Sequence, residues 1–229
     1  MGCTDCSRKG GCSTRKGEEK ELLSELLRRL YPSGRLGDID DAAAFRQGIP
    51  AREGRRLARH AAELLRAPTR FVAGDETEAC DYFYVLCVGR EPGLLELRDR
   101  DVLDIPDGDR IRERYLRVAL SSLARVAAVQ EVSFELDRDA DAYVVRELPR
   151  DGIYDPILLK RTQKLVDLLV GADVTYLDFG LLTKPAARYA EACSADDYED
   201  RYGQPAATVN WLFYPQPATA SRISVIPPA

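Results

Sequence analysis

The sequence predicts an α+β protein: a mixed sheet packed with helices, preceded by an irregular Cys-rich segment. Three observations carry this expectation. Helix-like and strand-like periodicities alternate along the chain with no internal repeat. The stretch YFYVLCV at 82–88 is aromatic, β-branched and apolar on both parities, the pattern of a strand covered on both faces. The chain has 229 residues, enough to bury a sizeable core without staples.

The elements follow in order. Residues 1–16 hold Cys, Gly and basic residues without periodicity, so they form a separate segment ahead of a globular domain at 17–214. From Glu18 the pattern is helical: Leu22, Leu23, Leu26, Leu27 and Leu30 make one stripe, which Pro32-Ser33-Gly34 stops. A second helix starts at Pro50 and ends near Arg66, with Leu57, Ala61, Leu64 and Leu65 inward. The strand at 82–88 turns at Gly89-Arg90-Glu91-Pro92-Gly93 and returns as a hairpin through 94–97. Residues 109–129 read as a long helix, with Ile111, Tyr115, Val118, Leu123 and Val126 near helical spacing.

Strands follow at 132–136 and 143–148, then a helix at 157–170 that Gly171 stops, and a strand at 174–179. A helix at 185–192 and a strand at 208–214 complete the domain. Residues 215–229 hold four prolines and read as an extended arm suited to a protein partner.

Charge and hydropathy narrow the function. The net charge is −5, so the whole chain does not read as a nucleic-acid binder. The balance is uneven: Arg8, Lys9, Arg15 and Lys16 face only Asp5 in the first sixteen residues, while Asp196, Asp197, Glu199 and Asp200 form an acidic run. No apolar run is long enough for membrane insertion, and no apolar leader opens the chain. A cytoplasmic, reducing compartment is therefore expected, where thiols stay free. Arginine outnumbers lysine 27 to 6, which fits a GC-rich bacterial genome.

Three of the six cysteines fall in the first twelve residues, spaced Cys3-x2-Cys6-x5-Cys12. A lipid anchor is disfavoured because position 6 is Cys6 where myristoylation wants Ser or Thr. A disulfide knot conflicts with a reducing compartment. Several thiolates close together suit an iron–sulfur cluster or zinc. Gly10 and Gly11 would let backbone N–H groups approach cluster sulfurs, and the basic residues would offset cluster charge. Structural zinc prefers paired C-x2-C knuckles, and only one is present, so a 4Fe–4S cluster is the first expectation and zinc the alternative.

The Cys3, Cys6, Cys12 spacing resembles the three-cysteine core of the cluster site in the large iron–sulfur subunit of respiratory complex I and in iron-only hydrogenases. There a Gly also precedes the last Cys, as Gly11 precedes Cys12 here. It is similar also to the endonuclease III-type glycosylases and to the auxiliary-cluster domain of some radical SAM proteins. The likeness covers about ten residues and implies a cluster rather than membership in those families. In the first two the fourth ligand lies upstream, where this chain offers no room, so it is expected from Cys80, Cys193, Cys87, His60, a partner chain or a small molecule.

The expected function is an electron-transfer or accessory subunit of a larger bacterial redox complex, with protein partners at the N-terminal segment and the C-terminal arm. An assembly protein with a structural metal and an enzyme with an open cluster iron are the alternatives. Leu177-Asp178-Phe179-Gly180 matches a kinase metal-binding triplet, but no Gly-rich loop or strand Lys precedes it.

Overall fold

The computed structural model describes residues 8–33, 47–74, 80–89, 95, 110–139, 142–150, 152–185, 206–213 and 222–226. Twelve elements follow one another: α1 (Arg8–Leu30), α2 (Ala51–Leu65), β1 (Thr69–Val72), β2 (Cys80–Val88), β3 (Arg110–Ser121), β4 (Val126–Asp139), β5 (Ala142–Pro149), α3 (Pro156–Gly171), β6 (Thr175–Leu177), α4 (Phe179–Leu182), α5 (Thr208–Leu212) and β7 (Arg222–Ile226). The strands form one sheet in the order β1-β2-β3-β4-β5-β7, every neighbour antiparallel. β6 joins off this path, parallel to the start of β4, with Val126 opposite Thr175. This mixed sheet with helices on both sides is the α+β fold that the sequence predicts.

The side-chain period of two sorts the sheet into two faces. Tyr82, Tyr84, Tyr115, Ala119, Ala128, Val132 and Phe134 pack with Leu23, Leu27 and Leu30 of α1 and with α4 and α5. Phe83, Val85, Leu116, Val118, Leu120, Ala127 and Val129 pack under α2 and α3. The central strands carry apolar residues on both parities because both faces are covered, as YFYVLCV implied.

Each covering helix has a local cause. α2 buries Gly54, Leu57, Ala58, Ala61 and Leu65 on one stripe. Gly54 lets it approach closely, since a Cβ there would lie 2.7 Å from Phe71 Cε2. α3 places Pro156 in its first turn and is capped by Asp155, whose carboxylate accepts from the N–H groups of Ile157 and Leu158. Arg125, in the β3–β4 turn, ties these helices together. It forks onto Glu53 of α2 at 2.9 and 3.2 Å and donates to the carbonyls of Ala172 and Asp173 after α3.

Three expectations are corrected. Residues 109–129 are not a helix: from Arg110 onward they are β3, a turn and the start of β4. Their apolar spacing satisfied both periods, and burial between two helical layers selected the strand. Ser121 fixes the turn, its Oγ accepting from the N–H groups of Leu123 and Ala124. Residues 208–212 are helical rather than a strand, and the Asn210 side chain accepts the Ala207 N–H at the start of the turn. α1 begins at Arg8, ten residues before the expected start at Glu18, so residues 8–16 are helical instead of irregular. No proline interrupts this stretch, and each of its glycines costs the helix only about 1 kcal/mol.

Part of the arm expected at 215–229 is β7, which pairs with β5 from Tyr143↔Ile226 to Glu147↔Arg222. The return strand expected at 94–97 lies outside the described residues except for Leu95, and the helix at 185–192 does so from residue 186. β2 finds its partners in β1 and β3 instead.

Candidate metal centre

α1 is the element that carries the candidate centre. Its inner half is anchored: Leu23, Leu27 and Leu30 are fully buried, and Tyr31 just beyond donates its OH to the carbonyl of Trp211 at 2.8 Å. Glu19 fixes the middle, its Oε1 accepting the N–H of Asp178 at 2.6 Å, where β6 meets α4. Cys12 stands in the outer half. Position 12 is seven residues before Glu19, about 10 Å along the helix axis. Cys3, Cys6 and Cys193 lie outside the described residues.

The other expected ligands are at separate places. Cys80 is buried on the α1 side of the sheet, its Sγ donating to the carbonyl of Phe213 at 3.1 Å. That carbonyl is two residues beyond the one that holds Tyr31, so Cys80 sits at the C-terminal end of α1. Position 12 is some nineteen residues, roughly 28 Å, from that end along the helix. A zinc centre holds its sulfurs at about 2.3 Å, so Cys80 and Cys12 do not share one in this arrangement.

Cys87 lies on the opposite face, at the irregularity where β2 slips between Leu86 and Val88 against β3. Burial pushes its thiol pKa up, partly countered by the neighbouring Arg161 guanidinium. Arg161 also donates to the carbonyls of Leu86 and Cys87. His60 is exposed on the outer side of α2. The structure therefore brings no two of Cys80, Cys87 and His60 together. Among the described residues no group of three or more His, Cys, Asp or Glu side chains is placed to hold a metal ion.

The interior holds a polar assembly that the sequence reading missed because it made β3 a helix. On the α1 side, Arg117 donates to Glu147 at 2.5 Å and to Gln130, and its guanidinium lies 5.8 Å from the centroid of the Tyr82 ring. Tyr115 donates to the fully buried Glu113 at 2.6 Å. On the α3 side, Arg114 donates to Glu131 at 2.9 Å and to Asp155 at 3.1 Å, tying β3 and β4 to the cap of α3. Asp155 is held below the usual carboxylate range by the Ile157 N–H foremost and by Arg114. The available signal was Arg110, Arg112 and Arg114 alternating with Ile111 and Glu113, a period of two. Arg117 with Gln130 and Glu147, and Arg114 with Glu131, pair across strands and fix register.

Among the described residues no helix is long and apolar enough to cross a membrane. No protein-family model, no curated protein and no solved structure matches the chain.

Proposed function

We propose that the chain is an iron–sulfur protein that binds one 4Fe–4S cluster through Cys3, Cys6 and Cys12 and passes single electrons to a protein partner. The spacing of these three cysteines carries the reading. Its setting supports it. Position 12 lies on α1, a helix whose C-terminal half is anchored in the core through Leu23, Leu27 and Leu30, so a cluster there would be tethered to the body. The thiolates would ligate iron, and the protein's own groups would perform no bond chemistry. This reading puts the chain in a reducing compartment.

Among the fourth-ligand candidates we favour Cys193. Cys80, Cys87 and His60 are committed to other places. Cys193 follows Pro185, which bridges Ala207 beside α4, and α4 begins next to the Asp178–Glu19 contact on α1. Eight residues of chain reach up to about 28 Å, so Cys193 has the tether to meet the outer part of α1.

Anaerobic purification with visible and EPR spectra tests this. A brown protein with a reversible one-electron couple is expected. Cys80→Ala should keep the spectrum, and Cys193→Ala should change it. Colourless protein with stoichiometric zinc overturns the cluster in favour of a structural metal. Protein with neither metal overturns the centre itself. A spectrum indifferent to Cys193→Ala moves the fourth ligand to a partner or a small molecule.

A further inference from the structure

The fold gathers arginines that the net charge conceals. On α2, Arg52, Arg55, Arg56 and Arg59 are all exposed, at spacings of three and four residues. They lie opposite the buried stripe of Gly54, Leu57, Ala58, Ala61 and Leu65. Arg66 at the helix end continues the row. From Arg52 to Arg66 it runs about 21 Å at 1.5 Å per residue.

Its negative charges are few. Glu63 is the one exposed acid on the helix. Glu53 is engaged by the Arg125 fork and lies only 3.9 Å from Arg56. Arg52, Arg59 and Arg66 have no ion-pair partner among the described residues. Arg55 lies over the Phe71 ring at 5.3 Å, which holds its guanidinium outward along the β1 side. On the neighbouring α3, Lys160 and Lys164 are exposed as well.

We infer that this face binds the phosphodiester backbone of a duplex nucleic acid without reading its sequence. Arginine forks match phosphate oxygens two at a time, which a lysine row would not. Phosphate contacts alone carry such binding, through release of condensed counterions. A protein partner of stable affinity would want an apolar or aromatic centre to the patch. Between these arginines the exposed helix surface offers His60 and Leu64 and no aromatic ring. The same lack argues against bases stacked from a single strand and against insertion into a lipid surface. An overall charge of −5 is no obstacle, because screening confines the interaction to groups within about 8–10 Å at physiological salt. This inference stands apart from the metal reading, since α2 covers the sheet face opposite α1.

The test is anisotropy of a labelled 20-base-pair duplex titrated with full-length protein between 50 and 200 mM salt. Wild type should bind, and log K should fall linearly with log salt. Arg52→Ala/Arg56→Ala/Arg59→Ala removes three contacts, so the slope should lose about 2.7. Fourfold more salt then weakens wild type about 40-fold more than the variant, by the same relation.

Alanine at exposed helical positions leaves folding intact, which the emission of buried Trp211 checks. The control is Lys20→Ala/Arg28→Ala/Lys184→Ala, three exposed charges on the α1 side; it should leave the slope unchanged. Three results overturn the inference. They are no binding at 50 mM salt, an equal slope in the α2 variant, or an equal loss in the control. Binding to vesicles containing phosphatidylserine with none to the duplex overturns it in favour of a membrane surface.

Discussion

Removing the Glu147 carboxylate should cost far more than its single ion pair suggests. The Arg117 side chain is 2% exposed and that of Glu147 9%, with 2.5 Å between them. In Glu147→Ala the guanidinium stays buried and loses its carboxylate partner, while neutral Gln130 still accepts from it. Leaving one half of a buried pair behind costs about 3–5 kcal/mol. At about 2–4 °C per kcal/mol for a chain of this size, the melting temperature should fall by roughly 6–20 °C. Replacing both partners with apolar residues, Arg117→Met/Glu147→Leu, removes the stranded charge and should recover most of the loss.

Trp211 is the only tryptophan and is 1% exposed, so its emission in urea reports unfolding of the core it sits in. Glu135→Ala provides the comparison. Its partner Arg112 is 56% exposed, and such pairs contribute at most about 1 kcal/mol. Glu147→Ala unfolding within about 1 kcal/mol of wild type, or a double variant no more stable than the single, would refute the buried-pair cost.

Three further outcomes follow from the same geometry. The Arg125 fork holds the Glu53 carboxyl below its ordinary value of 4.5, so the stability it adds is complete above that value and drains away as pH falls through the lowered one. Glu53→Gln should therefore lose about 1 kcal/mol at neutral pH and flatten the acid limb of the stability profile; an unchanged limb refutes the assignment. Gly48→Ala should destabilise more than Gly54→Ala, measured by urea midpoints. A Cβ at 48 would meet the Ser122 backbone carbonyl carbon at 2.1 Å, whereas at 54 it meets side-chain atoms of Phe71 and Leu120 that can shift. Trypsin should cut apo protein near Arg15 and Lys16 faster than metal-loaded protein while the core stays intact; equal rates would separate α1 from the metal.

The fold was legible where one periodicity ruled. The stripe Leu23, Leu26, Leu27, Leu30 matched a helix face, and YFYVLCV, short and rich in aromatic and β-branched residues, matched a strand with cover on both sides. Legibility failed at β3 because a strand buried on both faces loses its alternation, and what remains fits a helix as well. The deciding facts were non-local. Arg117 finds Glu147 on β5 and Gln130 on β4, and those partners turn an unfavourable buried charge into a register pin. The short helix 208–212 instead carries a local cause, Asn210 reaching back three residues to accept one backbone N–H.

The two functional readings differ in what made them visible. The cysteine spacing is a local signal, so three candidate ligands could be named from the sequence, while the fourth depends on where distant segments meet. The arginines of α2 were equally in view, but a net charge sums over the whole surface and erases their arrangement. Burial restores it. Once Leu57, Ala61 and Leu65 are turned into the sheet, the residues three and four apart on the other side must all face solvent together, and in α2 most of them are arginine. Burying one stripe of α2 thus organises its charge. An acidic chain can thereby present a basic face without any change in composition.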